Sequence, residues 1–268
     1  MAELLGIRRE RVYSPGRVAD DAAILDAVAE ELRRRAHLVT VIDGDDASWP
    51  EPSPLTIVFA MAQGPRALER MQRWQERGVR IVNAPEAILN CQRHRTVPLL
   101  QSANVGLPET RMIATAAPLP DWPIGEGLWI KRGDVHATEA GDVQFARSAG
   151  AVAAAVAALR QRGVASAALQ RHVAGEVRKF YGVASGFFHC VPPASGPAPD
   201  SATLARMGEI AQRAAAALGV EVYGGDCVLS PAGTVHIIDL NDWPSYRACR
   251  VAAAAAIASY LVTPKRKP

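Results

Sequence analysis

Over the first ninety residues, apolar positions switch between the spacing of strands and that of helices. Two signals predict helices, the 3.6-residue spacing of Leu25, Val28 and Leu32 after a start at Asp20 and Asp21, and a stretch at 65–76 that ends before Gly78. Short aliphatic runs between them predict strands at 4–7, 38–42, 55–60 and 79–82. Strands separated by helices of this length need crossover connections, so the pattern predicts a parallel sheet.

Beyond residue 84 the pattern changes to helices mixed with strands that are joined more directly. Helices are predicted at 85–91, 96–103, 149–161, 201–218 and 247–261. Strands are predicted at 111–113, 128–131, 143–146, 168–173 and 177–191, with a hairpin at 220–229 and 234–240. The proline-rich stretch 192–199 predicts a surface loop.

Composition and charge narrow the class of protein. The 268 residues are 49% hydrophobic and 21% charged, which excludes a disordered chain. A net charge of +3 argues against non-specific binding to nucleic acid. Four scattered cysteines without a CxxC pair predict neither a zinc site nor a disulfide framework. No secretory leader opens the sequence, and the longest apolar stretch, 251–262, is shorter than the roughly 20 residues of a membrane span. We therefore expect a cytoplasmic protein.

The C-terminal hairpin carries the clearest candidate chemistry. Asp239 and Asn241 are two residues apart on one predicted strand and therefore share a face, and Asp226 on the paired strand could converge with them. Carboxylate and amide oxygens suit a hard divalent cation such as Mg²⁺. The simpler explanation is a solvated hairpin end, where Asp and Asn serve turns, and spacing alone favours it.

A second set of residues could bind an anion. Lys131 closes an apolar strand, where a lysine is costly to bury unless it meets an anion. The polar segment 132–141 after it could fold over phosphates. Glu176 and Arg178 share a strand face, so Glu176 could meet a ribose hydroxyl and Arg178 a phosphate. A snorkelling lysine and a surface ion pair are the competing explanations.

Read in order, these residues resemble the ATP-grasp superfamily over about residues 82–261. Asn83-Ala84-Pro85 looks like the family's strand-to-helix junction, and 103–110, with Gly106-Leu107-Pro108, matches its "G-l-P-x-T" passage. Gly175-Glu176-Val177-Arg178 is similar to a motif of ribosomal-protein glutamate ligase relatives. The segment 239–246 also resembles a passage of the inositol trisphosphate kinase branch.

The resemblance implies an α/β protein with an ATP-grasp fold, with ATP and Mg²⁺ as cofactors and a role for each candidate residue. Arg178 would be catalytic, acting on the transferring phosphoryl group. Nucleotide contacts would come from Arg95, Lys131, Gln170, His172, Val173 and Glu176. Asp226, Asp239 and Asn241 would hold the metal, and Arg247 and Arg250 would bind an anionic substrate.

The sequence departs from the family pattern in three places. Arginine, at Arg95 or Arg93, stands where the family's first phosphate-contacting lysine is usual, which replaces a point charge by a guanidinium fork. The phosphate loop lacks a glycine-rich run. Asp239 stands where many members have Glu, which shortens the reach of the carboxylate without changing its charge.

The expected organisation is a parallel-sheet domain at 1–90, an ATP-grasp N-terminal subdomain at 91–173, and a C-terminal subdomain with the metal-binding hairpin at 174–268. The expected function is an ATP-dependent carboxylate–amine ligase that forms an amide or peptide bond through an acylphosphate. Two alternatives stay open: a kinase of a polyol or inositol phosphate, and a nucleotide-binding module without turnover. The expected partner is a small-molecule or peptide substrate, with no nucleic acid, no membrane, and self-association left open.

Overall fold

The structure is a computed structural model that describes residues 1–134, 140–194 and 198–263. Within these ranges the chain forms three four-stranded sheets joined by helices. Three sequence-based expectations lie wholly or partly outside the described residues. They concern the centre of the polar segment after Lys131 (135–139), part of the proline-rich loop (195–197), and the basic tail (264–268).

The first sheet is parallel, as the alternating pattern predicts. Its strands run in the order β2-β1-β3-β4, so the connection from β2 to β3 crosses over β1. Leu25, Val28 and Leu32 are fully buried, which confirms the apolar stripe of the first helix. Its elements are β1 (Glu3–Ile7), α1 (Val18–Arg34), β2 (Leu38–Ile42), β3 (Ile57–Ala60), α2 (Pro65–Glu76) and β4 (Arg80–Val82), with a 3₁₀ turn at Arg11–Tyr13.

The second sheet is antiparallel, in the order β5-β8-β6-β7. Leu128, Ile130 and Leu169 point to one face and pack with the helix α5, so the alternate residues of the same strands point to the other face. That other face carries Lys131. The elements are α3 (Pro85–Asn90), α4 (Arg93–Ser102), β5 (Thr110–Ala114), β6 (Leu128–Arg132), β7 (Val143–Ala146), α5 (Ala149–Gln161) and β8 (Ser166–Arg171), with a 3₁₀ turn at Ala140–Asp142.

The third sheet is also antiparallel, in the order β10-β9-β11-β12, and contains the predicted hairpin. One face packs against α6 through Phe180, Tyr223 and Leu240. The opposite face carries Asp226 and Asp239. The elements are β9 (Glu176–Val183), β10 (Phe187–Cys190), α6 (Ser201–Leu218), β11 (Val222–Leu229), β12 (Val235–Asp242) and α7 (Arg250–Val262).

The predicted fold class, a parallel α/β sheet followed by two antiparallel sheets, is thus confirmed, with local corrections. The single long strand predicted at 177–191 is two strands, because the chain turns at Gly186 with φ of +96°. The helix α1 begins before the predicted start, at Val18, and holds Asp20 and Asp21 in its first turn. The helix α6 begins at Ser201, as predicted, and is capped by Asp200, whose carboxylate accepts the backbone N–H of Thr203 at 2.7 Å.

Two polar residues join the parallel sheet to the third sheet. Asn83, fully buried after β4, donates to the carbonyl of Val222 at 2.8 Å and accepts the backbone N–H groups of Glu221 and Val222. Arg9, after β1, donates to the carbonyl of Trp243 at 3.0 Å. The carboxyl end of β12 is therefore held against the carboxyl ends of the parallel strands.

Candidate functional site

Lys131 lies at the centre of the cleft between the second and third sheets. Its side chain is buried, and its ammonium donates to Gln170 Oε1 at 2.8 Å and across the cleft to the carbonyl of Ile238 at 3.1 Å. Gln170 is fixed in turn, since its amide donates to Thr110 Oγ1 at 3.0 Å. A cavity beside these residues is lined by α4, by β6 and β8, and by β12.

Burial lowers the pKa of Lys131 to about 8. The carboxylates of Asp239 and Asp226 oppose this change, and the guanidinium of Arg93 adds to it. A buried lysine with a lowered pKa favours the binding of an anion in the cleft, because the anion stabilises the charged form of its amino group.

Arg93, not Arg95, reaches this cavity. Arg93 is buried at the start of α4 and donates to the carbonyl of Arg132 at 3.1 Å and to Asp239 Oδ1 at 3.5 Å. Arg95 instead pairs with Glu86 at 2.8 Å, and its side chain is 38% exposed. The structure therefore brings Arg93 to Lys131 and places the predicted nucleotide contact Arg95 outside the site.

Asp226, Asp239 and Asn241 do come together, as their spacing predicts. Asp226 is directly opposite Asp239 in the β11–β12 register, and Asn241 Nδ2 lies 3.4 Å from Asp239 Oδ2. The buried Oδ1 of Asn241 accepts no hydrogen bond from any residue that the structure describes. A buried acceptor oxygen next to two carboxylates fits the oxygen ligands that Mg²⁺ takes.

The protein by itself offers an incomplete metal site. Within residues 1–134, 140–194 and 198–263, no three histidine, cysteine, aspartate or glutamate side chains cluster closely enough to hold a metal ion. Mg²⁺ in nucleotide sites commonly uses one or two carboxylates together with substrate phosphates. The residues present therefore fit a metal that arrives with a nucleotide.

Arg178 lies on the opposite face of the third sheet from the acidic residues. It is paired in register with Cys227 and alternates with Phe180, both of which face α6. Its guanidinium is buried and forms an ion pair with the exposed Glu176. The sequence correctly indicates that Glu176 and Arg178 share a face, but the structure does not bring that pair to Lys131 or Asp239.

Lys179, one residue further along β9, takes the place in the cleft that was expected of Arg178. It is paired in register with Asp226, and its ammonium lies 2.9 Å from Asp226 Oδ1. The alternation of β9 could have revealed this residue only if the face that α6 covers had been known.

An aromatic cluster adjoins the segment 170–173, which contains the predicted nucleotide contacts Gln170, His172 and Val173 and is called the hinge here. The indole nitrogen of Trp129 lies 3.3 Å from His172 Nδ1. The centroid of the Phe145 ring is 4.8 Å from that of Trp129 and 5.2 Å from that of His172. Trp129 precedes Lys131 by two residues on β6 and shares its face. Val173, which follows His172 in the sequence, is half-buried. The sequence pattern does not single out Trp129 and Phe145 as candidate site residues, because a lone aromatic residue on a strand is more often part of the core.

Arg247 and Arg250 lie near the end of β12, at the start of α7. Both form ion pairs with Asp20 of α1, at 3.5 and 3.3 Å respectively. The two guanidinium groups thus share one carboxylate partner within the protein, and their role in binding an anionic substrate stays a prediction.

The described ends of the polar segment after Lys131 are fixed by charge. Arg132 pairs with Asp134 at 2.7 Å and with the buried Asp142 at 3.4 Å, and Arg162 binds Asp142 at 2.6 Å. These pairs fix Arg132 and Asp134 relative to Asp142, next to the Arg132 carbonyl that Arg93 binds.

In the described part of the chain, no helix is both long enough and apolar enough to cross a membrane.

Comparison with known proteins shows the fold through structure and not through sequence. No protein-family model matches the chain, and no curated protein matches it. Solved structures match over nearly the whole length. D-alanine–D-alanine ligase from Bacillus anthracis, complexed with ATP, has a TM-score of 0.71 at 10% identity, covering 98% of this chain and 95% of that one.

Two further structures match equally broadly. A RimK-domain ATP-grasp protein from Sphaerobacter thermophilus has a TM-score of 0.71 at 17% identity and covers 98% of this chain and 100% of its own. The D-cycloserine synthetase DcsG has a TM-score of 0.68 at 17% identity, with 96% and 99% covered. The chain therefore has the ATP-grasp fold.

Proposed function

We propose that this protein is an ATP-dependent carboxylate–amine ligase that uses Mg²⁺. The observation that carries the proposal is the cleft itself, with Lys131 and Arg93 on one side and Asp226, Asp239 and Asn241 on the other. Lys131, Arg93 and Asp239 line one cavity, and Asp226 and Asn241 lie next to Asp239, so cations for phosphates adjoin oxygen ligands for a metal. The neighbours in fold include D-alanine–D-alanine ligase and D-cycloserine synthetase, which supports ligase chemistry.

In this proposal Lys131 and Arg93 bind the α- and β-phosphates. The base lies at the hinge near Gln170, His172 and Val173, against the rings of Trp129 and Phe145. Asp226, Asp239 and Asn241 hold the metal, which supplies charge neutralisation at the phosphates. Arg247 and Arg250 are the proposed contacts for an anionic group of the substrate, in exchange for Asp20.

The proposed reaction has two steps. A carboxylate oxygen of the acid attacks the γ-phosphorus, the bond to the bridging oxygen breaks, and ADP leaves with the electron pair. An amine then attacks the acyl carbon of the acylphosphate, the C–O bond breaks, and phosphate departs with one amine proton. The protein's part is to position the reactants and to neutralise charge.

The kinase alternative depends on the number of cations around the cleft, because a multiply phosphorylated acceptor needs several of them. Arg178 lies on the far face of the third sheet, where it pairs with Glu176, and is therefore not one of these cations. The product of the reaction distinguishes the two enzymes. The alternative of a module without turnover is favoured by the absence of the usual first lysine and by the glycine-poor loop. Arg93 nevertheless brings a cation to the cavity.

The test is ADP release from Mg²⁺-ATP with and without amino-acid mixtures, in the presence of hydroxylamine. A ligase releases ADP in response to an acid, and hydroxylamine traps the acylphosphate as a hydroxamate that mass spectrometry detects. Asp239→Asn is the matched inactive variant. A phosphorylated polyol as the product would support the kinase, and nucleotide binding without ADP release under any mixture would support the module.

A further inference from the structure

Lysine is rare in this chain, and both lysines among the described residues face the cleft. It occurs at four positions, 131, 179, 265 and 267, while the other 26 of the 30 basic residues are arginine. The two lysines within the described residues both face the cleft, Lys131 from β6 and Lys179 from β9. An ammonium is a compact charge on a flexible stem, whereas a guanidinium forms a fixed fork. Position 179 therefore carries the more flexible of the two kinds of cation.

Lys179 occupies an oxygen that a metal would need. Its Nζ is 2.9 Å from Asp226 Oδ1, and Asp226 lies opposite Asp239 on the neighbouring strand. The lysine side chain is 50% exposed and that of Asp226 is 26% exposed, so the pair lies at the open surface of the cleft. Exposed ion pairs of this kind are weak and are broken at little cost.

The second ion pair of the site differs from this one. Arg93 is buried, and it is held by the carbonyl of Arg132 as well as by Asp239. Arg93 therefore stays in place, while the four-carbon stem of Lys179 allows its ammonium to move without any movement of the backbone of β9.

We propose that Lys179 exchanges partners during nucleotide binding. Without metal it neutralises Asp226; when a metal–nucleotide complex binds, it releases Asp226 to the metal and contacts the γ-phosphoryl group. This inference rests on the proposed function. Its physical cause is charge, because a divalent cation at Asp226 repels the ammonium while the oxygens of the γ-phosphate attract it. Lys179 thereby takes the role that the sequence suggested for Arg178.

The proposal predicts opposite effects of one substitution on two binding equilibria. In Lys179→Met the metal has no competitor for Asp226, so Mn²⁺ binds the ADP complex about two- to fivefold more tightly. The same variant loses a contact to the γ-phosphate, so its preference for AMP-PNP over ADP at saturating Mn²⁺ falls about tenfold. Electron paramagnetic resonance of free Mn²⁺ measures the first effect and calorimetry with the two nucleotides measures the second.

Control variants separate this role from a structural one. Arg73→Met removes the cation of another exposed pair, with Glu69 on α2, and should change neither quantity. Lys179→Arg should keep most of the preference for AMP-PNP, and Lys179→Gln should behave as Lys179→Met. Weaker Mn²⁺ binding together with a lower unfolding midpoint in both neutral variants would show a structural role and overturn the proposal.

The experiment also separates this proposal from the proposed function. If the wild-type protein binds neither nucleotide, the proposed function fails and Lys179 has no exchange to perform. If the wild type binds Mn²⁺ and both nucleotides but Lys179→Met leaves Mn²⁺ affinity and AMP-PNP preference unchanged, only the role of Lys179 is overturned.

Discussion

Arg93 and Arg95 are two residues apart in α4, yet the helix gives them different surroundings. Two positions correspond to about 200° of rotation, so one side chain enters the cavity while the other meets Glu86 at the surface. We predict that Arg93→Met weakens AMP-PNP binding about tenfold or more, because a charge-assisted contact to phosphate is lost. Arg95→Met is the matched control and should change affinity by less than about twofold. Equal losses in calorimetry would contradict the assignment of Arg93.

The low pKa of Lys131 predicts a pH dependence of nucleotide affinity. With a pKa of about 8 in the free protein, the ammonium is charged at neutral pH and loses its proton as pH rises through 8. A phosphate anion favours the charged form, so binding raises this pKa and takes up a proton near pH 8 to 9. Affinity for AMP-PNP should therefore fall as pH increases above about 8.

Calorimetry in buffers of different ionisation enthalpy measures that proton uptake directly. Lys131→Arg provides the control, since a guanidinium stays charged over the whole range and should abolish the uptake near pH 8. Uptake that persists in this variant would assign the proton to another group.

Substitution of Asn241 distinguishes a role as metal ligand from a structural role of its side-chain amide. Its Oδ1 is buried without a hydrogen-bond donor among the described residues, so Asn241→Ala removes an unsatisfied acceptor and should not lower the unfolding midpoint. The same variant should weaken Mn²⁺ binding in the ADP complex and reduce ADP release. A fall in the midpoint that parallels the loss of metal binding would instead support a structural role.

At the scale of elements, the strand β9 divides its side chains between two functions. Residues of one parity, including Arg178 and Phe180, share the face that packs against α6. Lys179 is of the other parity and faces the cleft beside Asp226. Arg178→Met should therefore leave AMP-PNP affinity within about twofold of wild type. A loss of tenfold or more in calorimetry, with the fold intact by circular dichroism, would return Arg178 to the nucleotide site.

At the scale of the whole molecule, Asn83 joins the parallel sheet to β11 through three buried hydrogen bonds. Asn83→Ala should lower the free energy of unfolding by about 3 kcal/mol, because it removes three hydrogen bonds and leaves the backbone N–H groups of Glu221 and Val222 without their acceptor. In a chain of this length that corresponds to a fall of about 6 °C or more in the midpoint.

The control variant for Asn83→Ala is Asn90→Ala. Its amide makes one hydrogen bond, to the carbonyl of Leu218 at 3.2 Å. It should lower the unfolding free energy by about 1 kcal/mol. Differential scanning calorimetry of the two variants tests whether Asn83 fixes the junction, and equal shifts would contradict that role.

Much of the fold and part of the site follow from local pattern. The alternation of strands and helices predicts the parallel sheet because each helix can serve as the crossover connection that two parallel strands require. The two-residue period of β12 places Asp239 and Asn241 together, and hairpin pairing brings Asp226 opposite them. These relations need only the geometry of one element or of two adjacent ones.

The choice between neighbouring candidates needed the tertiary structure. The two-residue period of the sequence shows that Glu176 and Arg178 share a face. Which face lines the cleft is decided by α6, which packs against Phe180 on the face that carries Arg178 and leaves Lys179 on the other face. Likewise, only the packing of α4 against β6 and β12 selects Arg93 over Arg95. The sequence by itself thus determined the elements and the type of chemistry, since these depend on local spacing. Which cation meets which anion was decided by contacts between residues that are distant in the sequence, such as Arg93 and Asp239. No local period in the sequence encodes such contacts.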